Sequence, residues 1–431
     1  MAITGRVGLL ALLGVAFVGL VMPSAAGVLV VAAVLLLGVL VDLVLAGGVR
    51  ALTFARSGAS SVRLGETAEV VLAVTNPGRR AVKGVLRDAW TPSAGADRRR
   101  HALTVPAGER RTVVTTLRPT RRGDRPAHRV TVRSAGPLGL AARQGSHQVP
   151  WTVRALPPFE SRKHLPSRLA RLRELDGRQA VLVRGQGTEF DSLREYVTGD
   201  DVRSIDWRAT ARAAEVMVRT WRPERDRSVL LVLDTGRTSA GRVGDAPRLD
   251  AAMDAALLLG ALASRAGDRV DLIAYDRALR ASAAGSSRAD LLPSLVNAMA
   301  PLEPGLVETD ARGMVAEVLK RAHRRSLVVL LTALDPAPLE AGLLPVLGPL
   351  VSRHRLLVAS VADPRIAEMA RGRGDAEAVY DAAAAERALA ERRHVEGLLR
   401  GRGIGVVDAV PADLPPALAD AYLALKAAGR L

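Results

Sequence analysis

The sequence has no cysteine among its 431 residues, and it is poor in lysine and in aromatic side chains. The absence of cysteine excludes disulfides, thiolate catalysis, zinc fingers and iron–sulfur ligation. Because aromatic residues make up only 3% of the chain, its cores must be built from Ala, Val and Leu. The seven histidines are scattered without metal-ligand spacing, and the sequence has no phosphate-binding Gly-Lys-Ser/Thr motif.

The charge of the chain is strongly positive, with 61 Lys and Arg against 44 Asp and Glu, a formal net charge of +17. A basic excess is typical of nucleic-acid binding. Here, however, the arginines are spread along the chain and mixed with acids, and the aromatic stacking platforms of single-strand binders are almost absent. We therefore expect no nucleic-acid partner, and a lipid bilayer with an anionic surface is the more natural one.

Two apolar runs lie near the start of the sequence, at residues 7–22 and 27–46. A bilayer core needs about 20 apolar residues per helix, with roughly 17 as the lower limit. The second run meets this length and the first is marginal, so residues 1–48 are predicted to form a transmembrane helical hairpin. The alternative is a signal peptide that ends near Ala25, which still leaves the second run as an anchor.

The charges around these runs predict the orientation of the hairpin. Arg6 precedes the pair and Arg50 and Arg56 follow it, whereas the turn carries no charge. By the positive-inside rule, both ends and the following domains face the cytoplasm. This predicts a multi-pass protein of the inner (cytoplasmic) membrane. Asp42 interrupts the second run near its cytoplasmic end, where its carboxylate is expected to reach the membrane interface.

Residues 49–155 show a β-rich pattern. Val70, Leu72 and Val74 alternate with other residues, and a turn of the type Asn-Pro-Gly follows at residues 76–78. Further short apolar runs are separated by turn residues at similar spacing. This pattern predicts a small antiparallel β-sandwich, and it contains no catalytic constellation.

Residues 156–227 are predicted to be a linker followed by a charged segment, which reads GTEFDSLREYVTGDDVRSIDWRATARAAEVMVRTWRPERD from position 187 to 226. Its acids up to position 206 are Glu189, Asp191, Glu195, Asp200, Asp201 and Asp206. Arginines are interspersed with them or follow closely. This density favours a network of bidentate ion pairs that orders a loop. An exposed recognition surface and a metal-carboxylate hydrolase remain alternatives.

This segment resembles the signature of the bacterial family called domain of unknown function 58. The matching residues are Gly187, Glu189, Phe190, Asp191, Leu193, Arg194, Tyr196, Gly199, Asp200, Asp201, Arg203, Ile205, Asp206, Trp207, Ala211 and Arg212, followed by Val218-Arg219 and Glu224-Arg225. The resemblance covers most of the chain. It implies a von Willebrand factor A-like domain and a partnership with a MoxR-type AAA+ ATPase.

Residues 228–431 are predicted to form that α/β domain. The predicted strands are residues 228–233, 269–275, 327–331, 356–361 and 404–407, and helical segments at 249–266, 289–300 and 311–323 lie between them. Alternating strands and helices indicate a doubly wound parallel sheet. Ligands of such sheets bind beyond the carboxyl ends of the strands, where Asp234 stands.

The resemblance also implies a metal site at Asp234. Von Willebrand factor A domains hold a metal ion with an Asp-x-Ser-x-Ser motif, a Thr on a second loop and an Asp after a later strand. In this sequence Asp234 and Thr238 occupy the first and last positions of the motif, and Thr309 can supply the hydroxyl of the second loop.

Other positions depart from that metal-binding pattern. Gly236 lacks the middle hydroxyl, and Ala333 stands where the later Asp is needed, although Asp335 lies two residues further on. Arg237 adds a positive charge, whereas a hard divalent ion needs several oxygen ligands close together. The sequence therefore predicts a degenerate site with weak or no divalent-cation binding, and no other cofactor.

The function expected from the resemblance is that of a membrane-anchored, non-enzymatic adaptor. It would work with a MoxR-type AAA+ ATPase in protein remodelling or complex maturation. The alternative is a carboxylate-dependent metal hydrolase that uses the acids between positions 189 and 206. For the charged segment, we expect ion pairs of Asp200, Asp201, Arg203 and Asp206 to fix the Gly199 turn and to direct Trp207 into the α/β core.

Overall fold

The structure is a computed structural model that describes the backbone of residues 1–182, 189–213, 215–222, 227–284 and 287–431. Side chains are described for the same residues except 176–182, 189–192, 220–222 and 288. The chain divides into two compact units, Met1–Pro158 and Phe159–Leu431. The predicted hairpin and β-sandwich thus share the N-terminal unit, and the charged segment shares the C-terminal unit with the α/β domain.

The N-terminal unit contains two helices and a series of strands. The helices are α1 (Gly5–Leu20) and α2 (Ala25–Leu45). The strands are β1 (Ala2–Ile3), β2 (Thr53–Gly58), β3 (Ser61–Arg63), β4 (Ala68–Thr75), β5 (Val82–Trp90), β6 (Arg100–Val105), β7 (Arg110–Leu117), β8 (Gly123–Ala135), β9 (Ala141–His147) and β10 (Trp151–Leu156). A 3₁₀ turn lies at Pro92–Ala94.

The two helices differ in their capacity to cross a bilayer. Helix α2, with 21 residues, is long and apolar enough to span a membrane by length and composition. Helix α1 has 16 residues, just under the lower limit of roughly 17. Ser24 starts α2 by accepting a hydrogen bond from the Gly27 N–H, and Gly14 lets α1 approach Val31 of α2 closely.

The strands form two sheets that share a core. One sheet has the order β1-β9-β8-β10-β3, with β5 also paired to β8 and β6 to β5, and the other has the order β2-β4-β7. All pairs are antiparallel except the parallel pair of β3 and β10. Leu72 and Val74 of β4, Leu86 of β5 and Val130 of β8 lie in one buried cluster. The alternating apolar residues of the sequence are therefore the ones that face this core.

Asp42 of α2 has a protein environment rather than the expected interfacial one. Its side chain is fully buried, and its carboxylate accepts hydrogen bonds from the N–H groups of Leu138 (2.7 Å), Leu140 (2.5 Å) and Ala141 (3.0 Å). Leu138 and Leu140 belong to the turn between β8 and β9, and Ala141 is the first residue of β9. Because buried N–H groups need acceptors, the carboxylate connects the end of α2 to the β-sandwich.

The C-terminal unit contains the charged segment and the α/β domain. Its helices are α3 (Leu165–Leu182), α4 (Trp207–Thr210), α5 (Arg237–Ala240), α6 (Arg248–Arg265), α7 (Arg288–Met299), α8 (Ala311–Arg321), α9 (Gly348–Arg353), α10 (Pro364–Met369), α11 (Ala376–Gly401) and α12 (Leu414–Ala427). Its strands are β11 (Glu189–Glu195), β12 (Met217–Arg222), β13 (Ser228–Asp234), β14 (Arg242–Val243), β15 (Ala246–Pro247), β16 (Arg269–Tyr275), β17 (Leu279–Ala284), β18 (Leu327–Leu331), β19 (Arg355–Val361) and β20 (Gly405–Ala409). Shorter 3₁₀ or π turns lie at Glu160–His164, Val202–Ser204, Pro338–Leu343 and Leu344–Val346.

The main sheet of this unit has the order β17-β16-β13-β18-β19-β20. Its strands are parallel except β17, which pairs antiparallel with β16 at one edge. Numbered along the chain, this is the doubly wound order 3-2-1-4-5-6. Helices cover both faces: Met314 of α8 packs with Leu230, whereas Gly260 of α6 lies against Leu231. The mixed α/β architecture predicted from the sequence is confirmed.

The charged segment folds as a small hairpin of its own. Strands β11 and β12 pair antiparallel with each other, and the 3₁₀ turn and α4 lie in the connection between them. We call residues 189–222 the charged hairpin. Its sheet has two strands, so it offers little surface for burying side chains.

Candidate functional site

A carboxylate surrounded by hydroxyl groups lies at the carboxyl edge of the main sheet. Asp234 ends β13, and β16 and β18 flank this strand on opposite sides. Asp234 Oδ1 accepts hydrogen bonds from Thr309 Oγ1 (2.5 Å) and the Gly236 N–H (2.9 Å). Asp234 Oδ2 accepts from Thr332 Oγ1 (2.6 Å) and Thr238 Oγ1 (3.3 Å). The three residues expected at this site, Asp234, Thr238 and Thr309, thus lie together.

Thr332 belongs to this site although sequence reasoning passed over it. It directly follows β18, the strand beside β13, so its hydroxyl lies at the same edge as Asp234. The signal that could have identified it is a hydroxyl residue immediately after a buried strand. The metal-binding pattern requires an Asp one residue later, at the position of Ala333, and assigns no role to Thr332.

A cavity of about 440 Å³ opens beside Asp234. Its polar lining includes the three threonines, and Met314, Leu339 and Leu343 supply apolar lining. Arg237 and Glu308 also line it and form an ion pair at 2.5 Å. Both side chains of that pair are more than half exposed, so water screens their attraction.

The residues at this site do not fit a tight divalent-cation site. Asp234 is the carboxylate to which the three threonine hydroxyls donate, and each of its oxygens already accepts two hydrogen bonds. Glu308, the other carboxylate that lines the cavity, is paired with Arg237. A side chain at position 236 would collide with Thr309 Oγ1, so glycine there leaves room for the hydrogen bond from Thr309 to Asp234. Glycine also lacks the hydroxyl that the metal-binding pattern has at this position. Asp335, the possible replacement for Ala333, is paired with Arg248 at 3.3 Å. Among the described residues, no group of three or more His, Cys, Asp or Glu could hold a metal ion.

A second carboxylate at this edge is also neutralised. Asp276 follows β16, and its oxygens accept hydrogen bonds from Arg280 Nε at 2.7 and 2.9 Å. Burial opposes ionisation of Asp276, but the Arg280 hydrogen bond and backbone N–H groups hold its pKa below the ordinary value. Neither Asp234 nor Asp276 therefore resembles an acid held free for catalysis.

In the charged hairpin, Asp200 forms an ion pair at the Gly199 turn, but its partner is Arg194, which is not among the residues expected to pair there. Arg194 Nη2 lies 2.5 Å from Asp200 Oδ1, and the Val197 N–H donates to Oδ2 at 3.0 Å. Gly199 has φ of 109°, a left-handed conformation that favours glycine. The hydrogen bonds from Arg194 and Val197 lower the pKa of Asp200.

Asp206 both caps a helix and forms an ion pair. Its Oδ1 accepts hydrogen bonds from the N–H groups of Arg208 (3.0 Å) and Ala209 (3.1 Å) at the start of α4. Its Oδ2 lies 2.7 Å from Arg219 of β12. The hydrogen bond from Arg219, followed by that from Ala209, lowers the pKa of Asp206. This pair connects the two halves of the charged hairpin.

Asp201 and Arg203 do not form the ion pairs expected of them. Asp201 caps the 3₁₀ turn by accepting a hydrogen bond from the Arg203 N–H at 2.9 Å. In the described part of the chain, neither side chain takes part in an ion pair. The expectation was wrong because Asp201 is used locally, since short polar side chains readily bond backbone groups two residues on.

Trp207 does not point into the α/β core, which corrects the prediction from the sequence. Its side chain is 67% exposed, and that of Val202, five positions earlier in the sequence, is 63% exposed. Trp207 opens the four-residue helix α4, which packs on β12 of a two-stranded sheet that is separate from the main one. The apolar Ile205, two residues earlier in the sequence, therefore did not indicate that Trp207 would be buried.

Of the remaining residues named in the charged segment, some are exposed and others lie outside the described part of the chain. Tyr196 and Arg212 are exposed near the ends of the connection between β11 and β12. Glu189 and Asp191 belong to β11, but their side chains lie outside the described residues. Gly187 and the pair Glu224-Arg225 also lie outside the described residues.

Two glutamates of the charged hairpin lie close enough to influence each other's ionisation. Glu195 ends β11, and Glu215 lies just before β12. A hydrogen bond with the Glu195 carboxyl, together with the repulsion between the two charges, raises the pKa of Glu215. Both side chains are exposed, so solvent limits how strongly they can act on each other.

The C-terminal unit is thus a doubly wound α/β domain that carries a charged hairpin and a hydroxyl-lined aspartate at the edge of its sheet. Residues 192–394 match the sequence family described as "Protein of unknown function DUF58", which is slightly less than half of the chain. Uncharacterized proteins of Mycobacterium tuberculosis and Mycobacterium bovis are 30% identical over 202 residues, 45% of this chain. The chain spans 61% of the length of these relatives.

Solved structures resemble only a fraction of the chain. The CARDB domain of the PF1109 protein from Pyrococcus furiosus is 17% identical, with a TM-score of 0.19 over 24% of this chain and 86% of that chain. Native alpha-2-macroglobulin from Escherichia coli is 16% identical, with a TM-score of 0.21 over 26% of this chain and 17% of that chain. Likenesses at such TM-scores do not define the fold.

Proposed function

We propose that this protein is a membrane-anchored, non-enzymatic adaptor that binds a protein partner through the charged hairpin. The observation that carries the proposal is the exposure of two large apolar side chains, Trp207 and Val202, in the connection between the paired strands β11 and β12. Exposed tryptophans are unusual on soluble domains and common at the centre of protein interfaces. The ion pairs of Asp200 and Asp206 hold this surface in shape before any partner binds.

The charge of the exposed surface favours an acidic partner. Three arginines within five sequence positions of Trp207 are exposed, and among the described residues none of them forms an ion pair: Arg203, Arg208 and Arg212. The three aspartates of the hairpin whose side chains are described, Asp200, Asp201 and Asp206, are paired with arginine or used as caps. A partner with an apolar pocket ringed by carboxylates would complement this surface, and charge would also steer its approach.

The resemblance to the domain of unknown function 58 family makes a MoxR-type AAA+ ATPase the proposed partner. The family match over residues 192–394 supports extending that resemblance, including the von Willebrand factor A-like assignment, to the C-terminal unit. Helix α2 supports anchorage in the inner membrane. An anchored adaptor would then present client proteins to the ATPase for remodelling or complex maturation.

The test measures binding of the purified MoxR-type ATPase to the full chain in detergent. Trp207→Ala is expected to lower affinity by at least about tenfold, since interface tryptophans commonly contribute about 2 kcal/mol or more. Its melting temperature should match that of the parent because the side chain is largely exposed. Tyr380→Ala is the matched control, because Tyr380 is a 78% exposed aromatic on α11.

Two outcomes would contradict the proposal. One is unchanged affinity in Trp207→Ala, and the other is an equal loss in Tyr380→Ala. Asp206→Asn adds a second variant that keeps an oxygen to cap α4 but removes the charge that pairs with Arg219. Reduced binding in Asp206→Asn at unchanged melting temperature would show that the shape of the hairpin matters for recognition.

The alternative function, a carboxylate-dependent metal hydrolase, has one observation in its favour. Glu195 and Glu215 act on each other's charge, and neither forms an ion pair with an arginine among the described residues. The raised pKa of Glu215 is the kind of shift found in catalytic pairs. Their exposure is against it, because such chemistry works best where water is excluded. Hydrolysis of nitrophenyl esters or phosphates that needs Mg²⁺ and disappears in Glu195→Gln would favour this alternative.

A further inference from the structure

Arginines accumulate at the amino edge of the main sheet, opposite the edge that carries Asp234. They precede β18, begin or precede β19, or follow α12. We call them the arginine cluster: Arg324, Arg325, Arg353, Arg355 and Arg430. This cluster lies outside the charged hairpin and belongs to neither of the sites described above.

The backbone brings the members of the cluster together. Strands β18 and β19 are parallel neighbours, with Arg355 in register with Leu327. The Arg355 N–H donates a hydrogen bond to the Ser326 carbonyl at 2.9 Å, so the residues that precede the two strands lie side by side. Arg325 and Arg430 are both close enough to act on the charge of Arg355.

Among the described residues, no acidic side chain lies within ion-pair distance of the cluster. In the described part of the chain, none of its five arginines forms an ion pair, although ion pairs occupy many other arginines of this unit. Burial, followed by repulsion from Arg430 and Arg325, lowers the pKa of Arg355. Neighbouring cations that repel one another and have no ion-pair partner form an environment that attracts an anion.

Buried nitrogens in the cluster also lack hydrogen-bond partners. His354 is 6% exposed, and its ring lies near the Arg324 backbone, yet neither ring nitrogen reaches hydrogen-bond geometry within the described residues. The buried Arg355 Nε is likewise without a partner there. Burial and the nearby Arg353 lower the pKa of His354, so its ring is neutral and carries one N–H donor. Because unsatisfied buried polar atoms are rare in folded proteins, this N–H and the Arg355 Nε–H point to a ligand that supplies oxygen atoms.

We propose that the arginine cluster and His354 form a binding site for a phosphate group. Arginine is suited to this role because its guanidinium presents a planar fork of donors that matches phosphate oxygens in bidentate contacts. A phosphate dianion would offset the repulsion among the arginines and accept the unused hydrogen bonds. The group can come from a soluble phosphate compound or from the headgroup of an anionic phospholipid.

The primary test is calorimetric titration of the full chain in non-ionic detergent with inorganic phosphate. Saturable binding is expected, and it should weaken as ionic strength rises. Arg325→Gln and Arg355→Gln should each lower the affinity about tenfold, the typical effect of losing one charge-assisted hydrogen-bonding group. Arg325 is exposed, so its replacement should leave the melting temperature unchanged even if Arg355→Gln disturbs the strand.

Arg312→Gln provides the matched control, because Arg312 is exposed on α8 and has no ion pair among the described residues. It should bind phosphate as the parent does. The proposal is overturned if the parent shows no saturable binding, or if Arg325→Gln binds phosphate as tightly as the parent and Arg312→Gln do.

The source of the phosphate is distinguished by repeating the titration in lipid nanodiscs. If the headgroup of an anionic lipid occupies the site, phosphate binding should persist in phosphatidylcholine discs and disappear when phosphatidylglycerol is included. In that case Arg325→Gln should no longer differ from the parent in phosphatidylglycerol discs. Phosphate binding that persists in both kinds of disc supports a soluble phosphate compound as the ligand.

Discussion

Aspartates with little solvent exposure are satisfied in two ways in this protein. Some accept hydrogen bonds from hydroxyl or backbone N–H groups, namely Asp42, Asp234 and Asp254. Others are paired with a cation, namely Asp88 with Arg56 and Asp268 with Lys426. A buried carboxylate needs such donors because transfer from water removes its hydration. Hydroxyl and N–H donors satisfy the oxygens without adding a positive charge. Burial can therefore raise the pKa of such a carboxylate, and removal of the carboxylate leaves its donors without an acceptor.

The first prediction concerns Asp254 of α6, which accepts hydrogen bonds from the Ser161 N–H (3.1 Å) and Oγ (2.8 Å). Burial outweighs these bonds and raises the pKa of Asp254 to about 6 from the ordinary 3.8. Because the folded-state pKa is raised, the associated stability is present below about pH 4 and is lost as pH rises through about 6. Asp254→Asn should therefore gain stability relative to the parent on going from about pH 4 to about pH 7.

Melting temperatures of the full chain in detergent, measured across this pH range, check the prediction. Asp381→Asn, which replaces an exposed carboxylate of α11, serves as the control and should show a nearly constant difference from the parent. A constant difference for Asp254→Asn as well would show that burial of Asp254 does not perturb its titration in solution.

The second prediction concerns divalent cations at Asp234. Calorimetry with Mg²⁺ or Mn²⁺ should show weak or no binding, because one carboxylate with four hydrogen-bond donors offers few free ligands. Asp234→Ala should lower the melting temperature, since each buried donor left without an acceptor costs about 1–3 kcal/mol. Micromolar binding that disappears in Asp234→Ala would instead establish a working metal site.

At the scale of elements, α2 is joined to the β-sandwich by contacts at its last turns. Besides Asp42, the carbonyl of Leu43 accepts a hydrogen bond from Arg143 Nε at 2.7 Å, and that of Val44 accepts one from Arg80. Cationic side chains are favourable near the C-terminus of a helix. The end of α2 is therefore held by the β-sandwich of its own unit rather than by a free linker.

The third prediction follows from this connection. Asp42→Ala leaves the N–H groups of Leu138, Leu140 and Ala141 without their acceptor, which should destabilise the turn by about 1–3 kcal/mol per buried group. Limited proteolysis should then cut the variant within residues 136–141 faster than the parent. Asp42→Asn keeps one acceptor oxygen and should lie between the two, and equal cleavage of all three proteins would contradict the role assigned to Asp42.

The elements of the α/β domain followed from the sequence much more reliably than the placement of the charged hairpin. Strand β13 is buried along nearly its whole length, so its uninterrupted apolar run identifies it. Trp207 has no such constraint, because its surroundings depend on where a four-residue helix packs. Thr332 was missed for the same reason, since its role depends on which strand becomes the neighbour of β13.

At the scale of the whole molecule, the charges beside the helix pair predict how the chain would be oriented if the helices span a membrane. Arg6, Arg50 and Arg56 are the positive charges that flank the two apolar runs in the sequence. The Arg56 side chain, however, is 1% exposed and forms an ion pair with Asp88 at 2.6 Å, so its charge is neutralised inside the protein. Arg6 and Arg50 remain as the flanking charges that favour a cytoplasmic location for both ends of the helix pair.

The fourth prediction is that a fluorescent protein that matures only in the cytoplasm will fluoresce when it is fused after Leu431. A reporter active only outside the cytoplasm should stay silent at the same position, and activity of that reporter would overturn the orientation. An N-terminal epitope tag tests the signal-peptide alternative, because cleavage near Ala25 would remove the tag from the mature protein.

The sequence by itself determined the apolar helix α2, the alternating strands of the β-sandwich and the parallel strands of the α/β domain. Each of these depends on a local periodic pattern of apolar residues, which burial in a core requires. Only the tertiary structure decided that Asp42 caps a turn, that Thr332 joins Asp234 and that Trp207 is exposed. Those outcomes depend on contacts between segments that lie far apart in the chain or on the absence of a covering layer, and no local pattern encodes either.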